Sequence, residues 1–140
     1  MAKEDQENCI FCKIIAGESP LSEVYSDEHC IGLMTIGPVN EGHVMVIPRE
    51  HLPYLKDVPE KLGAHMFTVA QRLAAAIRSS DIPCDGINMF LADGEVAHQE
   101  VFHFHLHVYP RLEGDGFGFK YDERHFQEPP RSELDRVAKV

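Results

Sequence analysis

Ten residues, Val101–Pro110 (VFHFHLHVYP), constrain this chain more than any other stretch. Side chains alternate faces along a β-strand. In that conformation Phe102, Phe104, Leu106 and Val108 share one apolar face, and His103, His105 and His107 share the other. The apolar face demands a core to lie on. The opposite face carries three imidazoles, spread over about 13 Å at the usual strand rise. A solvated strand face that happens to use histidine is the plain reading. Histidine's usual work as acid, base, nucleophile or ligand competes with it.

Two active readings follow from the residues themselves. Side chains two apart on a strand can chelate one ion, which makes a catalytic metal site one of them. A third ligand four residues on requires the strand to bend, and no acidic residue lies inside the run; Glu100 and Glu113 are the nearest. In the other reading one imidazole attacks an electrophile. Phosphorus suits it, because neutral imidazole both attacks phosphorus and leaves it readily, splitting one displacement into two steps. Neighbouring donors would hold the non-bridging oxygens as charge develops.

The rest of the chain reads as a frame for that strand. Its 140 residues fit one domain: a polar tail over 1–8, then a single domain over 9–140. Cys9–Ile15 is a short apolar knuckle. Glu23–Ser26 and Cys30–Thr35 are weak strand candidates, and His43–Pro48 is a strong β-branched one. Asp57 is placed to cap a helix, with Glu60 three residues on and Pro59 in its first turn. Leu62, Met66, Val69, Leu73 and Ile77 form one apolar stripe, with Phe67 read into the same core, and the helix stops near Ser79-Ser80. Gly86–Leu91 is another strand, and Ser132 opens a short final helix. Strands in pairs, joined mostly by turns around one long helix, indicate an α+β fold with an antiparallel sheet.

Charge narrows the partners. Thirteen basic and 23 acidic residues give a formal net charge of -10, which argues against nucleic acid or an anionic membrane as the main partner. A nucleotide needs only a small local site. No apolar run approaches the ~20 residues of a membrane helix, and MAKEDQEN resembles no secretory signal. A cytoplasmic location with four reduced cysteines is the expectation.

With its neighbours, the histidine run resembles the histidine triad (HIT) family. That family's motif, His-φ-His-φ-His-φ-φ with φ apolar, stands here as His103-Phe-His105-Leu-His107-Val-Tyr109. CIFCKIIAGESP, GHVMVIPREH and HQEVFHFHLHVYPR match three family blocks in order, with GDGF following; the branch is the bacterial-type hydrolases with an N-terminal Cys pair. The resemblance implies a five-stranded antiparallel sheet with one long helix and a short C-terminal helix, and a homodimer. It implies a hydrolase or transferase acting at the α-phosphate of purine nucleotide conjugates, with no cofactor required for the chemistry. By resemblance His105 is the nucleophile, His107 contacts the α-phosphate, His43 completes the cluster, Gln99 lies near the phosphates, and Ile36 and Thr35 border the nucleoside. Four positions depart from the pattern. Thr35 replaces an Asp, Ala92 an Asn or Gln, His98 a glycine, and Glu100 a Ser or Thr. Glu100 motivates a second reading, a nucleotide-binding module without turnover. A hydrolase that uses the triad as metal ligands is a third.

Cys9-x-x-Cys12 has the spacing of half a zinc site; two buried thiols in an apolar knuckle is the alternative. The resemblance supplies His51 and His103 as the remaining ligands, which makes a closed, structural Cys2His2 zinc site. Cys30 and Cys84 read as small buried residues. His29, His65 and His125 read as surface or packing histidines, Arg49 and Arg111 as exposed, and Gly114–Lys120 as a flexible loop.

Overall fold

The computed structural model describes residues 6–140. The expected tail over 1–8 therefore lies mostly outside the described residues; residues 6–8 are helical. The elements are α1 (Ile10–Ile15), β1 (Glu23–Ser26), β2 (Cys30–Met34), β3 (Val44–Pro48), α2 (Glu60–Ser79), β4 (Gly86–Leu91), β5 (Leu106–Arg111) and α3 (Arg131–Val137). Short 3-10 turns cover Leu55–Asp57 and Glu95–Ala97. The five strands form one sheet in the order β1-β2-β3-β5-β4, and every neighbouring pair is antiparallel. The α+β expectation is met, with one long helix and a short C-terminal one.

The pleat sorts β2 and β3 between two cores. Cys30, Val44 and Val46 turn toward α2 and pack with Met66, Val69, Ala70, Ile77, Phe104 and Val108. Ile31, Leu33, Met45 and Ile47 turn the other way, onto Cys9 and Phe11 of the knuckle. Covered on both faces, all five residues of β3 are buried, as its unbroken apolar run requires. Each such Val or Ile contributes about 1.5–3 kcal/mol by leaving water. The turn into β3 depends on Gly42, whose φ of +90° is left-handed and whose absent Cβ would meet Ile82 Cγ2 at 2.9 Å.

Several expectations need correction. Asp57 does not cap α2. Its carboxylate accepts from Tyr54 N at 3.1 Å within the preceding 3-10 turn, and α2 starts on Pro59 without a side-chain cap. Phe67 is exposed, because the buried stripe of α2 runs through Met66, Val69, Ala70 and Ile77. Arg111 is not a free cation; it donates to Asp115, Asn88 and the Phe117 carbonyl. The loop that follows is thereby pinned through Asp115, which also accepts from Asn40 Nδ2 at 2.9 Å.

The largest correction concerns the histidine run. Val101–Pro110 is not one strand: the ladder begins at Leu106. Upstream, the backbone is claimed by other segments. Phe104 N donates to Leu52 O at 2.7 Å, and Val101 O accepts from Gln99 Nε2 at 3.2 Å. Phe102 consequently leaves the core and packs edge-on against Tyr54, ring centroids 5.7 Å apart.

Candidate functional site

The bend before β5 divides the three imidazoles between two clusters. His105 and His107 stay together, ring centroids 4.9 Å apart, while His103 turns toward His51, 5.3 Å away. His43, immediately before β3, joins the first group; its ring lies 5.0 Å from that of His107 and 4.8 Å from that of Tyr109.

Hydrogen bonds fix which nitrogen of each ring carries the proton. His105 Nδ1 lies 2.8 Å from the His103 carbonyl, which can only accept, so Nδ1 holds the hydrogen and Nε2 keeps a lone pair. His43 Nδ1 accepts from Val39 N at 3.0 Å. A neutral His43 therefore carries its proton on Nε2 and donates it to His107 Nδ1 at 2.8 Å. That leaves a neutral His107 with N–H at Nε2. The result is one ring with a free lone pair beside another with a free donor.

Burial keeps these rings neutral. It pushes His43 and His107 down to about 4 from the ordinary 6.5, and lowers His105 as well. For His105 the downward push of burial is opposed by the His103 carbonyl and by the negative charge of Glu100, whose side chain is exposed.

The second cluster lies beside the first. Cys9 caps α1, and Cys12 sits one turn on. His103 Nδ1 is 3.5 Å from Cys9 Sγ and 3.5 Å from Cys12 Sγ, and His51 Nδ1 is 3.3 Å from Cys12 Sγ. All four ligand atoms lie within 4.8 Å of one another. A tetrahedral ion with Zn–S near 2.3 Å and Zn–N near 2.0–2.1 Å separates its S and N ligands by about 3.5–3.6 Å. Three S–N separations of the quartet, 3.3–3.5 Å, are close to that spacing, so the donor set fits a zinc-class ion. His103 Nε2 donates to Pro48 O at 2.8 Å, which turns the Nδ1 lone pair onto the sulfurs. The His51 Nε2 is buried and, among the described residues, is the one such side-chain N or O without a hydrogen-bond partner.

The remaining expected site residues are placed as follows. Thr35 is half-buried just beyond β2, where its Oγ1 accepts from Gly37 N at 3.3 Å, and Ile36 is fully exposed. Gln99 is buried with its amide committed: Oε1 accepts from Gly94 N at 2.8 Å, and Nε2 donates to Pro53 O at 2.7 Å and to Val101 O. His98 takes a left-handed φ of 69°, the conformation a glycine adopts freely. Ala92 is buried. A cleft of about 670 Å³ opens beside the knuckle, lined by Cys9, Tyr54, Lys56, Glu100, Val101 and Phe102 among others.

Sequence reasoning missed the Val39 amide and the Pro48 carbonyl, which orient the rings as strongly as any side chain. Both are backbone groups, and no residue type signals them. It also missed that His65 pairs with Asp27, Nε2 to Oδ2 2.6 Å; the Tyr-Ser-Asp turn upstream gave no hint of a partner on a helix.

This sheet, with histidines gathered at the start of β5, defines a class of protein, and comparison with known families identifies it. Residues 16–114 match the HIT domain, and the chain belongs to the HIT family. It is 44% identical over 113 residues to the Bacillus subtilis protein hit, covering 80% of this chain and 77% of that protein. An adenosine 5'-monophosphoramidase of Saccharomyces cerevisiae is 36% identical over 103 residues, 74% of this chain and 62% of that protein. An adenylylsulfatase of Arabidopsis thaliana is 36% identical over 110 residues, 79% of this chain and 55% of that protein. Among solved structures, a HIT family protein of Bacillus anthracis superposes with a TM-score of 0.86 at 40% identity, covering 95% of this chain and 94% of that one. A zinc-bound histidine triad family protein of Mycobacterium smegmatis gives 0.76 at 41% identity, covering 94% and 91%. No described helix is long and apolar enough to cross a membrane.

Proposed function

We propose that this protein is a nucleotidyl hydrolase or transferase that cleaves purine nucleotide conjugates, phosphoramidates or dinucleoside polyphosphates, at the α-phosphate. The observation that carries this reading is the tautomer of His105, whose only free nitrogen, Nε2, bears a lone pair. That lone pair attacks the α-phosphorus, and the bond from phosphorus to the leaving nitrogen or oxygen breaks. The imidazole gains positive charge as the N–P bond forms, and the His103 carbonyl, already accepting from Nδ1–H, stabilises it. His107 Nε2–H is the donor for a phosphate oxygen, held in that role by the relay from Val39 through His43. Water, or another acceptor in a transferase, then attacks phosphorus and releases His105. Thr35 and Ile36 border the nucleoside, and Gln99 holds the phosphate-side loop through its three backbone partners.

The Cys9-Cys12-His51-His103 quartet holds zinc in this reading. The ion supplies a closed, structural link and takes no part in the reaction. His103 belongs to both devices: its ring faces the thiols and its carbonyl orients the nucleophile. The two named enzymes among the relatives, one a phosphoramidase and one an adenylylsulfatase, support a nucleotide substrate for this chain as well. A homodimer in the cytoplasm belongs to the same proposal.

The test is incubation with adenosine phosphoramidate and with diadenosine polyphosphates. Release of AMP, and a nucleotidyl adduct on His105 after acid-free quenching, are the expected results. Nucleotide binding by calorimetry with no product from either substrate would favour the module without turnover, for which the charge of Glu100 near His105 is the motive.

A further inference from the structure

The β1–β2 turn carries another group of metal-ligating side chains, separate from the Cys2His2 quartet. Asp27 Oδ2, Cys30 Sγ and His65 Nε2 lie within 4.8 Å of one another. They come from the turn, from the first residue of β2 and from the second turn of α2. His65 Nε2 is 2.6 Å from Asp27 Oδ2, and Cys30 Sγ is 3.9 Å from the same oxygen. Asp27 is held from outside by Tyr25 Oη at 2.7 Å, His29 N at 2.7 Å and Cys30 N at 2.8 Å. Hydrogen bonds of that kind orient a carboxylate that binds metal.

The two separations to the Asp27 oxygen are close to what an ion needs, and Cys30 Sγ and His65 Nε2 lie within 4.8 Å of each other. Tetrahedral coordination by S, N and O separates the donors by about 3.3–3.6 Å. The sulfur must close on the carboxylate by a few tenths of an ångström, and His65 must withdraw from it by less than ~1 Å. His65 has room to do so, since its ring borders a cleft of about 440 Å³ that Glu28, His29, Arg49, Glu50 and Lys61 also line. The His29 ring centroid is 5.6 Å from that of His65.

We propose that Asp27, Cys30 and His65 form a second divalent-metal site of the zinc class, beside the cleft that the His65 ring borders. A mixed S, N and O donor set selects such ions over calcium or magnesium, which take oxygen alone. Binding exchanges two things for the ion: the Cys30 thiol releases its proton to solvent, and the His65–Asp27 hydrogen bond is replaced by two metal bonds. Both exchanges cost free energy, and the Cys2His2 quartet has no carboxylate–imidazole bond to give up. The second site is therefore the weaker of the two. It stands independently of the reaction proposed above.

Titration of metal-free protein with Zn2+ against a chromophoric chelator tests the proposal. Wild type should take up two equivalents, the second bound at least tenfold more weakly. His65→Gln, on the half-exposed face of α2, should take up one while keeping the wild-type melting curve. Wild type loaded with one equivalent of zinc and then given Co2+ should develop a near-ultraviolet sulfur-to-cobalt band, and Cys30→Ala should abolish it. The proposal fails if wild type stops at one equivalent, if the second equivalent survives in His65→Gln, or if no sulfur-to-cobalt band appears. In any of these cases Asp27 and His65 are only a hydrogen-bonded pair between turn and helix.

Discussion

His103 and His105 stand two residues apart, both almost wholly buried, and keep opposite ring nitrogens free of backbone partners. Each gives one N–H to a backbone carbonyl, at 2.8 Å in both cases, but from different nitrogens. His103 donates from Nε2 and turns Nδ1 into a nest of sulfurs. His105 donates from Nδ1 and leaves Nε2 uncommitted. Residue type and burial therefore do not set which ring nitrogen is left free; the position of the accepting carbonyl does. The bend before β5 creates the difference, because a straight strand would have presented both rings to the same surroundings.

The comparison can be broken at several strengths. The largest expected effect is on the nucleophile side: His105→Ala should lower AMP release on the order of a thousandfold or more, since no other ring in the group offers a free lone pair. Its melting temperature should fall by only a few degrees, from the cavity left beside Phe11 and the lost bond to the His103 carbonyl, as checked by calorimetry. Next comes the ligand side. Stripping metal with a chelator, or Cys12→Ser, should lower the melting temperature by roughly 10 °C, because closed Cys2His2 sites contribute several kcal/mol to folding. Activity should fall only in proportion to the fraction unfolded and to the misplacement of the His103 carbonyl. An immediate and complete loss of turnover at unchanged fold would instead make the triad a catalytic metal site.

A third effect depends on pH. His43 and His107 are held near 4 when folded, against 6.5 when free. Between those values the unfolded chain binds protons that the folded one refuses, so stability is full above about pH 6.5 and declines as pH falls toward 4. The slope is at most about 1.4 kcal/mol per pH unit for each ring. Urea midpoints at pH 7.5, 6 and 5 measure it, and His43→Gln should flatten the curve. The smallest effect concerns His98, whose left-handed backbone costs about 1 kcal/mol in a residue with a Cβ. His98→Gly should raise stability by no more than that, read as a shift in melting temperature of a few degrees at most.

Much of the fold is legible in the residues. The apolar stripe of α2 and the β-branched run of β3 lie where periodicity and composition place them, and Gly86–Leu91 is a strand with those bounds. The resemblance groups His43 with His105 and His107, and His51 and His103 with the Cys pair, as the structure does; spacing alone does not. Alternation alone aligns His103 with His105 and His107, whereas the structure sends it to the Cys pair. One reason is non-local, since Leu52 takes the Phe104 amide, and one is a local side-chain competition, since Gln99 takes the Val101 carbonyl two residues on. Asp57 shows the same limit on a small scale. Its spacing to Glu60 suits a helix cap, yet the nearer Tyr54 amide takes its carboxylate.

The clasp of Arg111 on Asp115 also has a mechanical meaning. Beyond Phe117 the described hydrogen bonds and ion pairs join neighbours to neighbours, such as Arg124 to Asp122 and Arg136 to Glu133. Tension applied at the C-terminus would therefore straighten that stretch first and reach the clasp next. The clasp hands that load to Arg111, the last residue of β5, a strand bonded to a neighbour on each side. The rings of His105 and His107 sit at the far end of that strand, the last part of it to feel a pull.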